Sequence, residues 1–301
     1  MSSSRPELSI LVPTRGRAES LLRFLLSLAA TTSRPAAIEV VLAVDSDDAP
    51  PPLPKLPFEV KTHFGPPGRT MGELNAAACS ASRGDFIMLM NDDVIVRSRG
   101  WDRLVRRAIR RFPDRLVLVH VNDTLIRDHL CVFPILSRTC IEVLGGLASP
   151  EYERYRIDDH LQDPFDMLAR VGVRRTVYLP DAIFEHRNSV NHPEAGAVYE
   201  SDPAILKRDA PRFEAALPER KAAAVRLLER IEGRLDPAKV AILESIDDSF
   251  ALRVPGRQIV LRSPLVKRLP GIAGAILNRL AACYRRGGAA GLVKAAIRRA
   301  T

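Results

Sequence analysis

Two apolar runs with a helical repeat between them constrain this chain more than any other feature. Leu8-Ser-Ile-Leu-Val12 and Ile38-Glu-Val-Val-Leu-Ala-Val44 are β-branched and nearly continuous in apolar character, the pattern of strands covered on both faces. Between them Leu21, Leu22, Leu25, Leu26 and Leu28 recur at helical spacing. Strand, helix and strand in this order form a βαβ unit, which demands parallel pairing and a right-handed crossover. The pattern continues. A proline-rich loop over 49–57 leads to a short strand at Phe58–Thr62, then a helix at Thr70–Ser82. A buried strand follows at Phe86–Met90, and a basic helix at Trp101–Phe112. Further strands are expected at Leu116–Val121 and Cys131–Leu136, with a short helix from Arg138 to Leu144 closed by Gly145-Gly146. A helix at Asp158–Val171 tolerates Pro164 if that residue lies in its first turn. Val173–Leu179 reads as a strand and Pro180–Arg187 as a last extended segment. The expected fold is α/β, a mostly parallel sheet flanked by helices. Residues 1–205 are expected to form this α/β unit and 206–301 a helical, basic C-terminal extension.

In such a sheet, ligands bind where the strands end. The run Phe86–Met90 stops at Asn91-Asp92-Asp93. Two adjacent carboxylates there repel each other and lose hydration, so a positive partner is required. Oxygen donors of this kind suit Mg²⁺ or Mn²⁺, which also grip phosphates. A polar turn between strands is the plain alternative. Against it stand three more polar clusters at strand ends: Thr14-Arg15, Asp45-Ser46 and Glu185-His186. Parallel pairing brings all four to one edge.

Taken together, Ser9-Ile-Leu-Val-Pro-Thr14, Val44-Asp45, the helix start from Gly68 to Asn75, Gly84-Asp85 with Asn91-Asp92-Asp93, and His186 resemble the inverting GT-A glycosyltransferases of family 2, over about residues 7 to 190. The resemblance implies a Rossmann-like GT-A fold. It places Pro13, Thr14, Arg15 and Asp45 against the nucleobase, with Asp45 accepting from a uracil imide N–H. Arg69 and Asn75 match positions near the diphosphate and uridine. Asn91-Asp92-Asp93 takes the place of the D-x-D motif, with Asp93 as principal metal ligand and Asp92 near the ribose or metal. Asn91 departs from the pattern by removing one carboxylate. His186 matches the family's metal-binding histidine, with His192 a weaker choice. The family's general base is an acid at a helix start ahead of that histidine. Asp158, Asp159 and Asp163 are the candidates, Asp163 preferred narrowly over Asp159, which shares its helical face with Asp163 and Asp166. Trp101, the one tryptophan, is a candidate for stacking on a sugar.

The implied activity is metal-assisted inverting transfer of a sugar from a nucleotide sugar, a UDP-sugar by first choice, to a glycan or lipid-linked acceptor. A nucleotidyltransferase would want a glycine- and lysine-rich loop after the first strand, and Thr14-Arg-Gly-Arg17 is a poor one. A catalytically silent nucleotide-sugar or membrane-binding module is the other rival, favoured by Asn91. Four cysteines without C-x-x-C spacing read as core thiols of a cytoplasmic protein, and no apolar run is long enough to span a bilayer. A net charge of +9 calls for an anionic partner. From Pro264 to Thr301 there are eight basic residues and no acidic one, interleaved with apolar positions. That tail suits either an anionic membrane face or a helical cap. With one aromatic and no binding motif, it does not suit nucleic acid.

Overall fold

The computed structural model describes residues 5–187, 203–247, 258–262 and 267–268. β1 (Leu8–Pro13) is buried throughout and pairs in parallel with β2 (Ile38–Asp45). α1 (Ala18–Thr31) crosses between them with Leu21, Leu22, Phe24, Leu25 and Leu28 buried. β3 (Glu59–Gly65) continues the parallel array beyond β2. α2 (Met71–Ala81) starts at a capping box: the Thr70 hydroxyl accepts from Glu73 N–H, and the Glu73 carboxylate accepts from Thr70 N–H. It feeds β4 (Phe86–Leu89), parallel to β1 on its other side. The turn into β4 requires glycine, because a Cβ at Gly84 would meet Ser9 N at 2.6 Å.

β5 (Val94–Val96), β6 (Ser98–Arg99), α3 (Trp101–Ile109), β7 (Leu118–Asn122) and β8 (Pro134–Ser137) follow. Then come α4 (Arg138–Leu144), α5 (Ile157–Arg170), β9 (Thr176–His186), α6 (Pro203–Ala215), α7 (Leu217–Glu232), α8 (Pro237–Glu244), β10 (Ile259–Val260) and β11 (Lys267–Arg268). The large sheet runs β10-β9-β7-β8-β4-β1-β2-β3, with β5 paired to the far end of β9. Among the described strands of this sheet only β8 and β5 run antiparallel to their neighbours. The fold is therefore the mixed α/β arrangement expected, a mostly parallel sheet between helices. Alternate strand residues enter two cores. Ile10, Val12, Val40 and Met88 face α1 and α3, while Leu11, Val41 and Ile87 face α2, α4, α5 and α7.

Several expectations change. Val173–Leu179 and Pro180–Arg187 are not two segments but largely one strand, β9. It survives Pro180 because its pairing with β7 slips there: Leu179 faces Val121 while Ile183 faces Asn122. Asn122 Nδ2 donates to the Pro180 carbonyl at 3.0 Å across the slip. Pro164 lies well inside α5, not in its first turn. Trp101 is fully buried, edge-on to Phe184 at 5.1 Å, and cannot stack on a sugar. The boundary expected near 205 is no break in packing, since Phe213, Ala224, Leu227 and Leu228 share a core with Leu161 and Phe165. Cys79, Cys131 and Cys140 are free thiols. Among the described residues no helix is long and apolar enough to cross a membrane. His192 and the basic tail lie outside the described residues, except Lys267–Arg268. Those two form a strand against β6 where helix was expected.

Candidate active site

A cleft of about 530 Å³ opens at the carboxyl edge of β1, β2 and β4. Pro13, Thr14, Arg15, Asp45, Arg69, Asn75, Asn91, Asp92, Asp93, Asp158 and His186 all line it. Eleven positions read from the sequence thus share one cavity of the size that holds a nucleotide. Asp159 and Asp163 do not line it. Asp163 is fully buried with its Oδ2 2.6 Å from Arg220 Nε of α7, and Asp159 pairs with Arg156 at 3.2 Å. Asp163 thus points into the C-terminal helices, while Asp166 accepts from Gln162 Nε2 at 3.0 Å. Asp158, at the start of α5, is the one candidate base in the cleft.

β5 runs antiparallel to β9 with Val94 opposite His186, so the residue before β5 meets the imidazole. His186 Nε2 lies 3.2 Å from Asp93 Oδ1 and 3.2 Å from Asn91 Nδ2. The backbone fixes this corner, since Arg187 N–H donates to the Asp93 carbonyl at 2.8 Å. One ring nitrogen cannot satisfy both neighbours. A proton on Nε2 serves Asp93 but leaves the Asn91 amide without an acceptor, while a lone pair serves Asn91 and faces the carboxylate. A cation shared by Nε2 and Oδ1 removes that conflict, so these two donors fit a divalent metal. Among the described residues no three His, Cys, Asp or Glu side chains converge on one point. The remaining ligands would therefore be phosphate and water, as is usual for Mg²⁺.

Arg17, which the sequence reading passed over, completes this wall. Its Nη1 lies 3.2 Å from Asp92 Oδ1 and 3.1 Å from Asp93 Oδ2, bridging the two acids. Its signal was faint: a second arginine two residues after Arg15 in the same loop. Burial raises the Asp92 pKa to about 6, against the pull of the Thr14 hydroxyl and Arg17. For Asp93 burial also opposes charge, but His186 and Arg17 outweigh it and hold the carboxyl below the usual range.

On the opposite wall Asp45 is already engaged. Oδ1 accepts from Arg69 Nε at 3.0 Å, and Oδ2 from Gly68 N–H at 3.0 Å and Arg15 Nη1 at 3.2 Å. It positions Arg69 as well as facing the cleft, a role the sequence did not suggest, while Arg15 is held mainly by Asp47 at 2.6 and 2.7 Å. Gly65 has no Cβ because one would lie 2.6 Å from the Arg69 guanidinium. Asn75 Nδ2 donates to the Met71 carbonyl, leaving a buried Oδ1 acceptor without a hydrogen-bond partner. The first amides of α2 are not free for phosphate, since Met71 and Gly72 donate to the Glu153 and Tyr152 carbonyls. In the loop after β1, Gly16 N–H goes to Asp48 and Thr14 N–H to the Ala43 carbonyl, so this loop is no phosphate cradle. The lip formed by Glu153, Arg154 and Tyr155 is held by Asp209 of α6, whose carboxylate accepts all three N–H groups at 2.9–3.0 Å.

Fold and site together define an α/β protein with an acidic, histidine-bearing corner facing arginines across a nucleotide-sized cleft. No protein-family model matches the sequence, and no curated protein matches it significantly. Some solved structures are distantly similar. The mannosyltransferase PcManGT from Pyrobaculum calidifontis, solved with GDP-Man and Mn2+, is 15% identical over 99% of this chain and 80% of its own, with a TM-score of 0.49. S. aureus TarS is 12% identical, with 83% of this chain on 50% of that chain and a TM-score of 0.46. TarS 1-349 in complex with UDP is 10% identical over 83% and 76%, with a TM-score of 0.45.

Proposed function

We propose that this chain is an inverting glycosyltransferase that takes a sugar from a nucleotide sugar, a UDP-sugar by first choice, to a glycan or lipid-linked hydroxyl. The observation that carries the proposal is the paired corner of Asp93 and His186, set across one cleft from Arg15 and Arg69. The first pair suits a metal, Arg69 would stabilise a diphosphate, and Arg15 would lie toward the nucleobase. A bound Mg²⁺ or Mn²⁺, held by Asp93 and His186, would neutralise charge on the leaving diphosphate.

Asp158 is the proposed base, in place of Asp163. It accepts the acceptor's proton as that oxygen bonds to the anomeric carbon. The bond from that carbon to the β-phosphate oxygen breaks, and its electron pair leaves with the nucleoside diphosphate. One displacement inverts the centre. Asp45 holds Arg69 in position for the diphosphate side of this event, and Asp47 holds Arg15. Asn75 Oδ1 offers an acceptor for a nucleoside N–H or O–H, a demand a pyrimidine imide or a ribose hydroxyl can meet.

The nucleotidyltransferase alternative is disfavoured by the loop after β1, whose Thr14 and Gly16 amides are spent on the protein itself. Incubation with UDP- and GDP-sugars, with and without Mn²⁺, tests the proposal. Metal-dependent release of nucleoside diphosphate is expected. Release of pyrophosphate from a nucleoside triphosphate, or no nucleotide binding with any metal, would overturn it.

A further inference from the structure

α3 buries Trp101, Leu104, Val105 and Ala108 against the sheet. Its outer side presents Arg103 and Arg107, continued in the next turn by Arg110 and Arg111, all four exposed. The spacing of four, three and one puts them on one face. Arg99 of β6 is exposed just ahead of them. None of the five has an ion-pair or side-chain hydrogen-bond partner among the described residues. The nearby acids are committed elsewhere: Asp102 to Arg106 and two backbone amides, Glu7 to Arg34 and Arg106, Asp114 to Arg175. The helix dipole rewards the last three arginines but not Arg103, which stands in the first turn. Like charges four apart, Arg103 with Arg107 and Arg107 with Arg111, oppose helix formation. The helix thus carries repulsion that an external anion would relieve.

A second observation fixes the partner's geometry. β11 pairs antiparallel with β6, Lys267 opposite Arg99 and Arg268 opposite Ser98. The basic, acid-free C-terminal sequence thus contributes one strand paired beside this arginine face, and it carries six more cations after Arg268. Apolar residues lie between those cations, a composition that suits a lipid interface better than a soluble polyanion.

We infer that the arginine face of α3 is the docking surface by which the protein binds an anionic phospholipid bilayer. Guanidinium groups pair with lipid phosphates in two-point contacts, and each adds attraction to the anionic surface. The inference is independent of the proposed reaction, and its test reads no activity. The full chain is sedimented with vesicles of phosphatidylcholine alone or with phosphatidylglycerol. Binding is expected only with the anionic lipid, and should weaken between 0.1 and 1 M salt as screening shortens to about 3 Å. Each arginine near the surface contributes about fivefold, so the combined Arg103→Gln, Arg107→Gln, Arg110→Gln and Arg111→Gln variant should lose at least about a hundredfold in affinity. These side chains are exposed, and an unchanged melting temperature verifies that the fold is kept. A control with Arg230→Gln and Arg234→Gln, exposed on and after α7, should bind within about threefold of the parent when the face is specific. Failure of the full chain to sediment, equal sedimentation by the α3 variant, or binding to heparin without binding to vesicles would each overturn the inference.

Discussion

Arg17 Nη1 lies 3.1 Å from Asp93 Oδ2, on the carboxylate whose other oxygen faces His186. The guanidinium is shared with Asp92 and supplies, from within the chain, charge that a metal would otherwise bring. Removing it leaves two buried carboxylates facing each other. Arg17→Gln should therefore lower stability in metal-free buffer by about 1–3 kcal/mol. It should also raise the affinity for Mn²⁺, which no longer competes with an internal cation. Thermal melts and calorimetric titration with Mn²⁺ alone measure both effects. A variant whose Mn²⁺ affinity falls would mean that Arg17 assists the metal.

Asp158 and Asp163 separate chemistry from stability. Asp158→Asn should fold normally, bind donor as the parent does, and turn over about 10²-fold or more slowly, the scale of general-base catalysis. Asp163→Asn leaves Arg220, itself 1% exposed, buried without its anion. Breaking such a pair costs about 3–5 kcal/mol. That variant should show its defect in urea titrations, with turnover per folded molecule retained. If Asp163→Asn is stable and inactive, the assignment to Asp158 fails.

These two aspartates also show how far the sequence could be read. β1, β2 and β4 were legible because strands buried on both faces must be apolar runs, and their ends located Thr14, Asp45 and Asp93 in one cleft. The facing of α5 was not legible. Its acids at 159, 163 and 166 resemble a solvated face, yet all three are buried, and the cation that meets Asp163, Arg220 of α7, arrives 57 residues later. Local periodicity holds no information about a cation so distant. Asp209 was hidden for the same reason. Arg17 was visible, but its turn toward the acids depends on the loop after Pro13.

Two buried histidines set an acid limit. Burial depresses the His120 pKa to about 4, outweighing the Gln258 hydrogen bond and the charges of Asp123 and Asp128, which favour the protonated ring. His160 is held at about 4 by burial and by the charge of Arg220. Unfolded histidine titrates near 6.5, so the unfolded chain takes up protons first as pH falls. Their stabilisation is whole above about pH 6.5 and is lost progressively toward pH 4. Each contributes at most about 3 kcal/mol over that window. Asp92, raised to about 6, acts in the opposite sense, because its buried charge is relieved by protonation. A net fall in stability between pH 6.5 and 4.5 is expected by urea unfolding. Combined His120→Asn and His160→Gln substitution should flatten it, and an unchanged slope would refute this origin.

Asp209 ties the C-terminal helices to the cleft, so its removal should disturb a lip that it does not itself line. Asp209→Ala withdraws the acceptor for Glu153, Arg154 and Tyr155 N–H, while the Glu153 pairs with Arg208 and Arg212 remain. Three backbone donors then turn to water or stay unmet, at a cost of about 1–3 kcal/mol in all, since solvent reaches part of the loop. Hydrogen exchange at these three amides should accelerate by about tenfold or more, while β1 and β4 stay protected. Because Arg154 and Tyr155 line the cleft beside Asp158, acceptor KM should rise more than donor affinity falls. Exchange as slow as in the parent would show that the lip is held by its contacts with α2, through Met71 and Gly72, and that Asp209 is dispensable to it.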